Sequence, residues 1–436
     1  MERQVNLMHF TFEQIVDENE FNNLISCTDI NPSGIKRFTP SPLVTVLYKY
    51  IRRHHNLKIT FGSTPLISDE PYIIASGVAH SPDGWAEAPN GSRTTPFDHL
   101  TKQQRYDLKW GKAYLLLDQS HEGYHEHWLW GWFHNNCNKY DIPIQRIIYV
   151  TGNMNSADQY NEWATNHGLL KEVRMYVFPY SHFEIAMASM IPESNLPTAK
   201  QQFKHKRKNA ASIKLYDCLQ KRARNHRAWL FAKLHKEQLL DKGINSMNEF
   251  TLQRAFMEGQ HLPEEDYNSI KGMLPMYPPN ENDAHTYESQ DCGQFLIKYN
   301  DDIMLQTWLS IVSEAHYSDP DTNHTVFLSE KTFKPIACSQ PFILYSNKGS
   351  LRRLRELGYM TFHPFIDETY DNLETFDRLD AIVKELKRID NFTTTEKLDW
   401  LKSMVYILRY NRNHLEKLAT TPSINMLTQF RKIFYV

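Results

Sequence analysis

The chain has 436 residues, 41% of them apolar and 23% charged, and a formal net charge of −2. That length predicts two or three domains of ordinary globular composition. The near-zero charge excludes a protein held on nucleic acid by a global positive field, although a local basic groove stays open.

In chain order, residues 1 to about 65 read as helical and polar. PLVTVLYKYIRRHH (42–55) has apolar residues at helical spacing and a basic end. YIIASG (72–77) reads as a buried strand. AYLLLDQS (113–120) predicts a strand, the aromatic-rich 125–140 a helix, and RIIYVTGN (146–153) a second strand. SADQYNEWATNHG (156–168) predicts a helix capped by Ser156 with Gly168 just past its end, and VRMYVFP (173–179) a third strand. Strands and helices alternating across short connections mean a parallel α/β sheet.

The basic, poorly packing stretch 195–212 reads as an interdomain linker. A second α/β series follows it. Strands are expected at 212–219, 244–247, 307–315, 341–346 and 359–362. Helices are expected at 226–243 with Gly243 at its end, at 330–339 with Ser329 as N-cap, and at 349–357. The stretch 250–295 is turn-rich, and the last 65 residues are mostly helical. The predicted fold class is α/β: two Rossmann-type lobes facing an interlobe cleft, with a helical C-terminal tail. The expected domains are one lobe at 1–200, a second at 201–395, and C-terminal helices at 396–436.

Five cysteines are present, Cys27, Cys137, Cys218, Cys292 and Cys338, without a CxxC pair. The odd number and wide spacing predict reduced, buried thiols. The charged N-terminus lacks a signal-peptide core, and the apolar runs are strand-sized. A soluble, cytoplasmic protein without a membrane partner is expected.

The densest chemical signal is TVFLSEKTFKPIACSQPFILYSNKGSLRRLRELGYMTF (325–362). Ser329 can cap a helix that opens with Glu330 and Lys331. A helix N-terminus with a lysine beside it suits a phosphate, and a carboxylate suits vicinal hydroxyls. Together they describe a nucleotide-sugar site. A capped surface helix with an exposed Glu-Lys pair is the plainer alternative. Basic residues crowd 204–227, with Arg224 and Arg227 bracketing a strand-to-helix turn that suits phosphate contact. That run is either a solvated face or a positive rim for the donor diphosphate or a polyanion.

The pattern Ser313-Glu314, Ser329-Glu330-Lys331, Pro341-Phe342-Ile343 and Tyr359 to Phe365 resembles the donor-binding motif of the α-1,3-fucosyltransferase family. The resemblance implies that Glu330 and Lys331 hold ribose and diphosphate, and that Arg227, with Leu234 seven residues on, also holds the diphosphate. It further implies that Glu314 faces the sugar, that the reaction inverts, and that the fold is GT-B-like, with lobe 1–200 binding the acceptor and lobe 201–395 the nucleotide sugar. The loop between Glu314 and Ser329 is longer than the family's, which leaves the sugar open. DQSHEG, R-x-HR and FLSEKTFKPI are similar to segments of uncharacterised glycosyltransferase-like proteins of bacteriophages and large DNA viruses, which would place the chain in a host cytoplasm.

A transferase of this kind needs a base for the acceptor hydroxyl. Glu122 leads, followed by Asp118 and His121, all after the first clear strand. His121-Glu122-Gly123-Tyr124-His125 also matches H-E-x-x-H, the basis of an alternative reading as a zinc hydrolase. Gly123 at its centre opposes the helix that such a site requires. Asp319-Pro320-Asp321 reads as a turn rather than a metal-binding Asp-x-Asp. No metal or cofactor is expected, with a nucleotide-diphosphate sugar as co-substrate. The acceptor is a glycan or, in the alternative, DNA carrying a hydroxylated base. A non-catalytic nucleotide-binding or virion-associated role is a third class.

Overall fold

The computed structural model describes residues 7–11, 58–62, 71–75, 95–120, 122–123, 128–220, 224–247, 264–276, 301–315, 317 and 325–419. The chain divides into two compact units, Met1–Ser189 with Lys417–Val436, and Met190–Glu416. Each carries its own parallel sheet, so the chain is an α/β protein with two Rossmann-like units and a helical C-terminal region.

Unit 1 holds six strands: β1 (Leu7–Thr11), β2 (Lys58–Gly62), β3 (Tyr72–Ala75), β4 (Ala113–Gln119), β5 (Ile147–Thr151) and β6 (Tyr176–Pro179). Their order is β2-β1-β3-β4-β5-β6, all pairs parallel. Every residue of β4 is buried, as expected of a strand covered on both faces. The α-helices described in this unit are α1 (Lys102–Lys109), α2 (Leu129–Tyr140), α3 (Ser156–Asn166) and α4 (His182–Met190). Aromatic side chains of α2, α3 and β5 form its core. Phe133 and Tyr149 lie 4.9 Å apart, and Trp130 and Tyr160 5.3 Å. Burying each such ring is worth about 2–3 kcal/mol.

The N-terminal expectation needs correction. Residues 7–11 and 58–62 are strands, not helix. Five-residue strands are too short for periodicity to reveal, although KITFG has strand composition. The helix expected over 42–55 lies outside the described residues. At α3 the N-cap is Asn155 rather than Ser156, and the preceding turn is held by Asn153 Oδ1, which accepts from the Asn155 N–H at 3.0 Å. Gly168 does close that helix, at φ +71°.

Unit 2 runs α5 (Ala199–Lys208), β7 (Lys214–Leu219), α6 (Asn225–Lys236), β8 (Gly243–Ser246), α7 (Glu264–Lys271), α8 (Asp301–Leu305), β9 (Thr307–Ser313), α9 (Glu330–Ala337), β10 (Phe342–Tyr345) and α10 (Ser350–Glu356). α11 (Thr375–Asp390) and α12 (Thr394–Leu418) follow. The sheet order is β10-β9-β7-β8, again parallel. Apolar side chains of α11 and α12, among them Leu379, Ile382, Leu386, Met404 and Leu408, are buried. No helix among the described residues is long and apolar enough to cross a membrane.

The supposed linker is α5. Thr198 and Gln201 form a reciprocal capping box at its start. One face is buried: Gln202 donates to the Cys338 carbonyl at 3.0 Å, and the fully buried Lys206 donates to Gln340 Oε1 at 2.5 Å. Burial lowers the Lys206 pKa to about 7, against a smaller upward pull from Asp217. Burial likewise raises Asp217 to about 6, opposed by hydrogen bonds from Thr307 and Ser310.

The helix expected to run to 243 stops at Lys236, where Gln238 turns left-handed at φ +58°. Gly243 instead opens β8, because a Cβ there would sit 2.4 Å from the Tyr216 ring. The segment 359–362 is not a strand. Asn411 takes both the N–H and the carbonyl of Met360, and Glu368 accepts the Phe362 N–H, so side chains replace a ladder.

Candidate functional site

In unit 2 the chain passes from β7 to β8 on one side and then to β9 on the other. Strand order therefore reverses between β7 and β9. In open parallel sheets, ligands bind beyond the carboxyl ends of the strands at such a reversal. The N-terminus of α6 follows β7, and the N-terminus of α9 comes after β9. Arg224, Arg227, Glu314, Ser329, Glu330 and Lys331 all lie in these two segments.

Glu314, immediately after β9, organises the site. It is fully buried. Its Oε1 accepts from the Ser329 N–H at 2.9 Å and the Thr332 hydroxyl at 2.6 Å. Its Oε2 accepts from the Ser329 hydroxyl at 2.5 Å and the Ala315 N–H at 3.2 Å. These bonds pin the start of α9 to the end of β9. Glu314 was expected to face a sugar. Both of its oxygens accept from these donors, which hold the start of α9.

Ser329 caps α9 as expected, its Oγ accepting from the Lys331 N–H at 3.3 Å. Glu330 and Lys331 do not project into bulk water. Glu330 is 7% exposed. Lys331, with 27% of its side chain exposed, donates from Nζ to Glu330 Oε1 at 2.6 Å and to Ser329 Oγ at 3.2 Å.

Burial alone would raise the Glu330 pKa. Lys331 and Lys334 overcome that effect and hold it near 2, against 4.5 for an ordinary glutamate. Because the folded value is the lower one, Glu330 contributes stability above pH 4.5 and loses it as the pH falls from 4.5 towards 2. Urea midpoints of wild type and Glu330→Gln should therefore differ above pH 5 and converge towards pH 2. A gap that stays constant with pH would refute this.

Across the strand reversal, Arg227 is buried and donates to the carbonyls of Ser313 and Glu314 at 3.2 and 3.1 Å. Arg224 donates to the Ala315 carbonyl. Burial lowers the Arg227 pKa to about 10, and Arg224 adds to the effect. Both arginines thus grip the carboxyl end of β9, which concentrates positive charge there.

Sequence reasoning missed two participants. Thr332 is three residues past the cap, a spacing that could have marked it. His226 Nε2 lies 3.0 Å from the Glu314 carbonyl, and its ring stacks on Tyr317 at 4.8 Å. Its place in the first turn of α6, within the R-x-HR segment, was the local signal.

The basic run 204–227 is not one surface. Lys204, Arg207, Lys208 and Lys214 are exposed, Lys206 and Arg227 are buried, and Lys221 and Arg222 lie outside the described residues.

The base candidates belong to unit 1. Asp118 is fully buried at the end of β4, with Oδ1 accepting from the Ser120 N–H at 2.8 Å. Glu122 is half-buried in the following loop, and its carbonyl accepts from Gly152 N–H at 2.8 Å and the Thr151 hydroxyl at 3.3 Å. His121 and His125 lie outside the described residues. Glu122 and Gly123 are not helical, whereas the H-E-x-x-H zinc geometry needs a helix there. Among the described residues, no cluster of three or more His, Cys, Asp or Glu side chains could hold a metal. Asp319 and Asp321 lie outside the described residues.

No protein-family model matches the chain. No curated protein matches it either. Among the solved structures that overlap it weakly are three. The N-terminal domain of trehalose-6-phosphate phosphatase from Candida albicans is 8% identical at a TM-score of 0.41, covering 99% of each chain. A Listeria monocytogenes protein assigned as a UDP-N-acetylglucosamine 2-epimerase is 9% identical at 0.37, covering 98% of this chain and 96% of that one. A UDP-GlcNAc 2-epimerase from Neisseria meningitidis, bound to UDP-GlcNAc, is 8% identical at 0.34, covering 97% and 99%. Overlaps this weak carry no argument, and the functional reading rests on the site itself.

Proposed function

We propose that the chain is a glycosyltransferase that moves a sugar from a nucleotide-diphosphate sugar to an acceptor hydroxyl, with unit 2 binding the donor. The observation that carries this reading is the placement of Ser329, Glu330 and Lys331 at the N-terminus of α9, beside the α6 arginines at the β7/β9 reversal. Lys331 and the first N–H groups of α9 take the diphosphate, as helix N-termini do. Glu330, held ionised, accepts the ribose hydroxyls. As the sugar leaves, negative charge grows on the diphosphate, and Lys331 with the Arg224–Arg227 pair stabilises it. Glu314 keeps α9 in place.

Unit 1 supplies the acceptor side. Glu122, Asp118 and His121 are the candidates to take the acceptor proton. A single displacement with inversion follows from the sequence resemblance, as does the expectation that no metal is needed.

The test is a thermal-shift screen of the full chain with UDP, GDP, dTDP and CMP and their sugars. One of these should raise Tm, by an amount equivalent to about 2.7 kcal/mol at a hundredfold excess over Kd. No shift with any of them would overturn the assignment.

A further inference from the structure

The carboxyl ends of β4, β5 and β6 in unit 1 hold polar groups that its folding does not explain. Strand register places Gln119, Thr151 and Pro179 side by side, so the residues after them form a row at roughly 4.8 Å spacing. In and around that row, Gln119 Nε2, Ser120 Oγ, Ser156 Oγ, Tyr180 Oη and Ser181 Oγ are all buried without a hydrogen-bond partner. Tyr180 is 6% exposed and Ser181 9%.

An unpaired buried polar atom costs free energy, and folded proteins carry few of them. Five of the buried unpaired side-chain atoms among the described residues cluster at this one rim. Two enclosed carboxylates accompany them. Asp118 and Glu184 are both buried, and Tyr180 lies in the field of each. Burial first, then these two charges, push the tyrosine pKa well up, so Tyr180 stays a neutral O–H donor. Residues 118–123, 151–156 and 179–184 include three acids, Asp118, Glu122 and Glu184, and no lysine or arginine.

We infer that this rim is the acceptor subsite and that it takes a neutral, hydroxyl-rich ring, a saccharide, in preference to a nucleic acid. Hydroxyl and amide groups on the protein can each pair with ring hydroxyls, and a carboxylate accepts from two vicinal ones. The same carboxylates repel phosphates. A ligand of this kind satisfies several desolvated groups at once, the arrangement that gives the strongest discrimination against analogues lacking a hydroxyl. The inference rests on the transferase reading and narrows its acceptor class to carbohydrate rather than hydroxylated DNA.

The experiment is saturation-transfer NMR on the full chain without nucleotide. The probes are the methyl glycosides of glucose, galactose, mannose and N-acetylglucosamine, and a short DNA duplex carrying hydroxymethylcytosine. At least one glycoside should bind. Tyr180→Phe and Ser181→Ala should each weaken that binding roughly tenfold, while their Tm stays level or rises, because each removes an unpaired buried hydroxyl. A purely structural role predicts the Tm change without the binding loss.

The inference is overturned if no glycoside binds, if the variants bind as the wild type does, or if the duplex displaces the glycoside. Nucleotide-induced Tm shifts in the same samples separate the two readings. A nucleotide shift without glycoside binding overturns this inference alone. Glycoside binding without any nucleotide shift overturns the donor reading and leaves the saccharide site standing.

Discussion

Glu314→Ala should cost the protein about 3–5 kcal/mol and most of its nucleotide binding together, the loss expected when one partner of a buried charged network is removed. The substitution leaves the Ser329 N–H, the Ser329 hydroxyl and the Thr332 hydroxyl without their acceptor in a closed interior. Each such group costs about 1–3 kcal/mol, partly offset because a desolvated carboxylate is also gone. The start of α9 then loses its tie to β9, and Glu330 and Lys331 lose their placement. Glu314→Gln keeps an acceptor oxygen and should fall between wild type and alanine. Urea unfolding gives the stability loss and thermal shift with nucleotide gives the binding loss. A Glu314→Ala protein as stable as wild type, still shifted by nucleotide, would show that the carboxylate does not organise the site.

Lys331→Ala separates the two effects. Lys331 is itself over a quarter exposed, but its partner Glu330 is buried, so the substitution should cost about 1–3 kcal/mol of stability, less than Glu314→Ala. A charge-assisted bond to a diphosphate is worth about 1.5–3 kcal/mol, so nucleotide affinity should fall roughly 10- to 100-fold. Calorimetric titration of a well-folded Lys331→Ala protein reads this directly. Undiminished affinity would remove Lys331 from the diphosphate site.

How much of this was legible in the sequence depended on how local each signal was. Ser329 as the cap of α9 could be read because an N-cap is defined within three residues. The fully buried strands β4 and β9 were visible as apolar runs between helices. Glu314 was singled out, but its bonds to α9 were not. Its donors, Ser329 and Thr332, are 15 and 18 positions away, and nothing local marks such a bond. The helix α5 looked like a linker because its composition is basic. Its burial depends on Gln202 and Lys206 meeting residues more than 130 positions away. The expected strand at 359–362 failed for the converse reason. Its apolar side chains are buried, yet Asn411 on a later helix takes the backbone groups a ladder would have used. Unit 1's own strand reversal lies between β1 and β3, and the residues that follow them, 12–57 and 76–94, lie outside the described residues.

On the proposed donor reading, the contact between Glu330 and Lys331 would give the site a selectivity of its own. The lysine already holds an anion in the free protein, so a guest that takes the ammonium must pull opposite charges apart in a sheltered place. Free phosphate can do so only by abandoning the carboxylate. A nucleotide brings sugar hydroxyls for Glu330 as its phosphates reach Lys331, and both members of the pair are re-satisfied at once. On the proposed donor reading, the two side chains would work as a coincidence detector, rejecting small anions and admitting molecules that carry charge and hydroxyls the right distance apart.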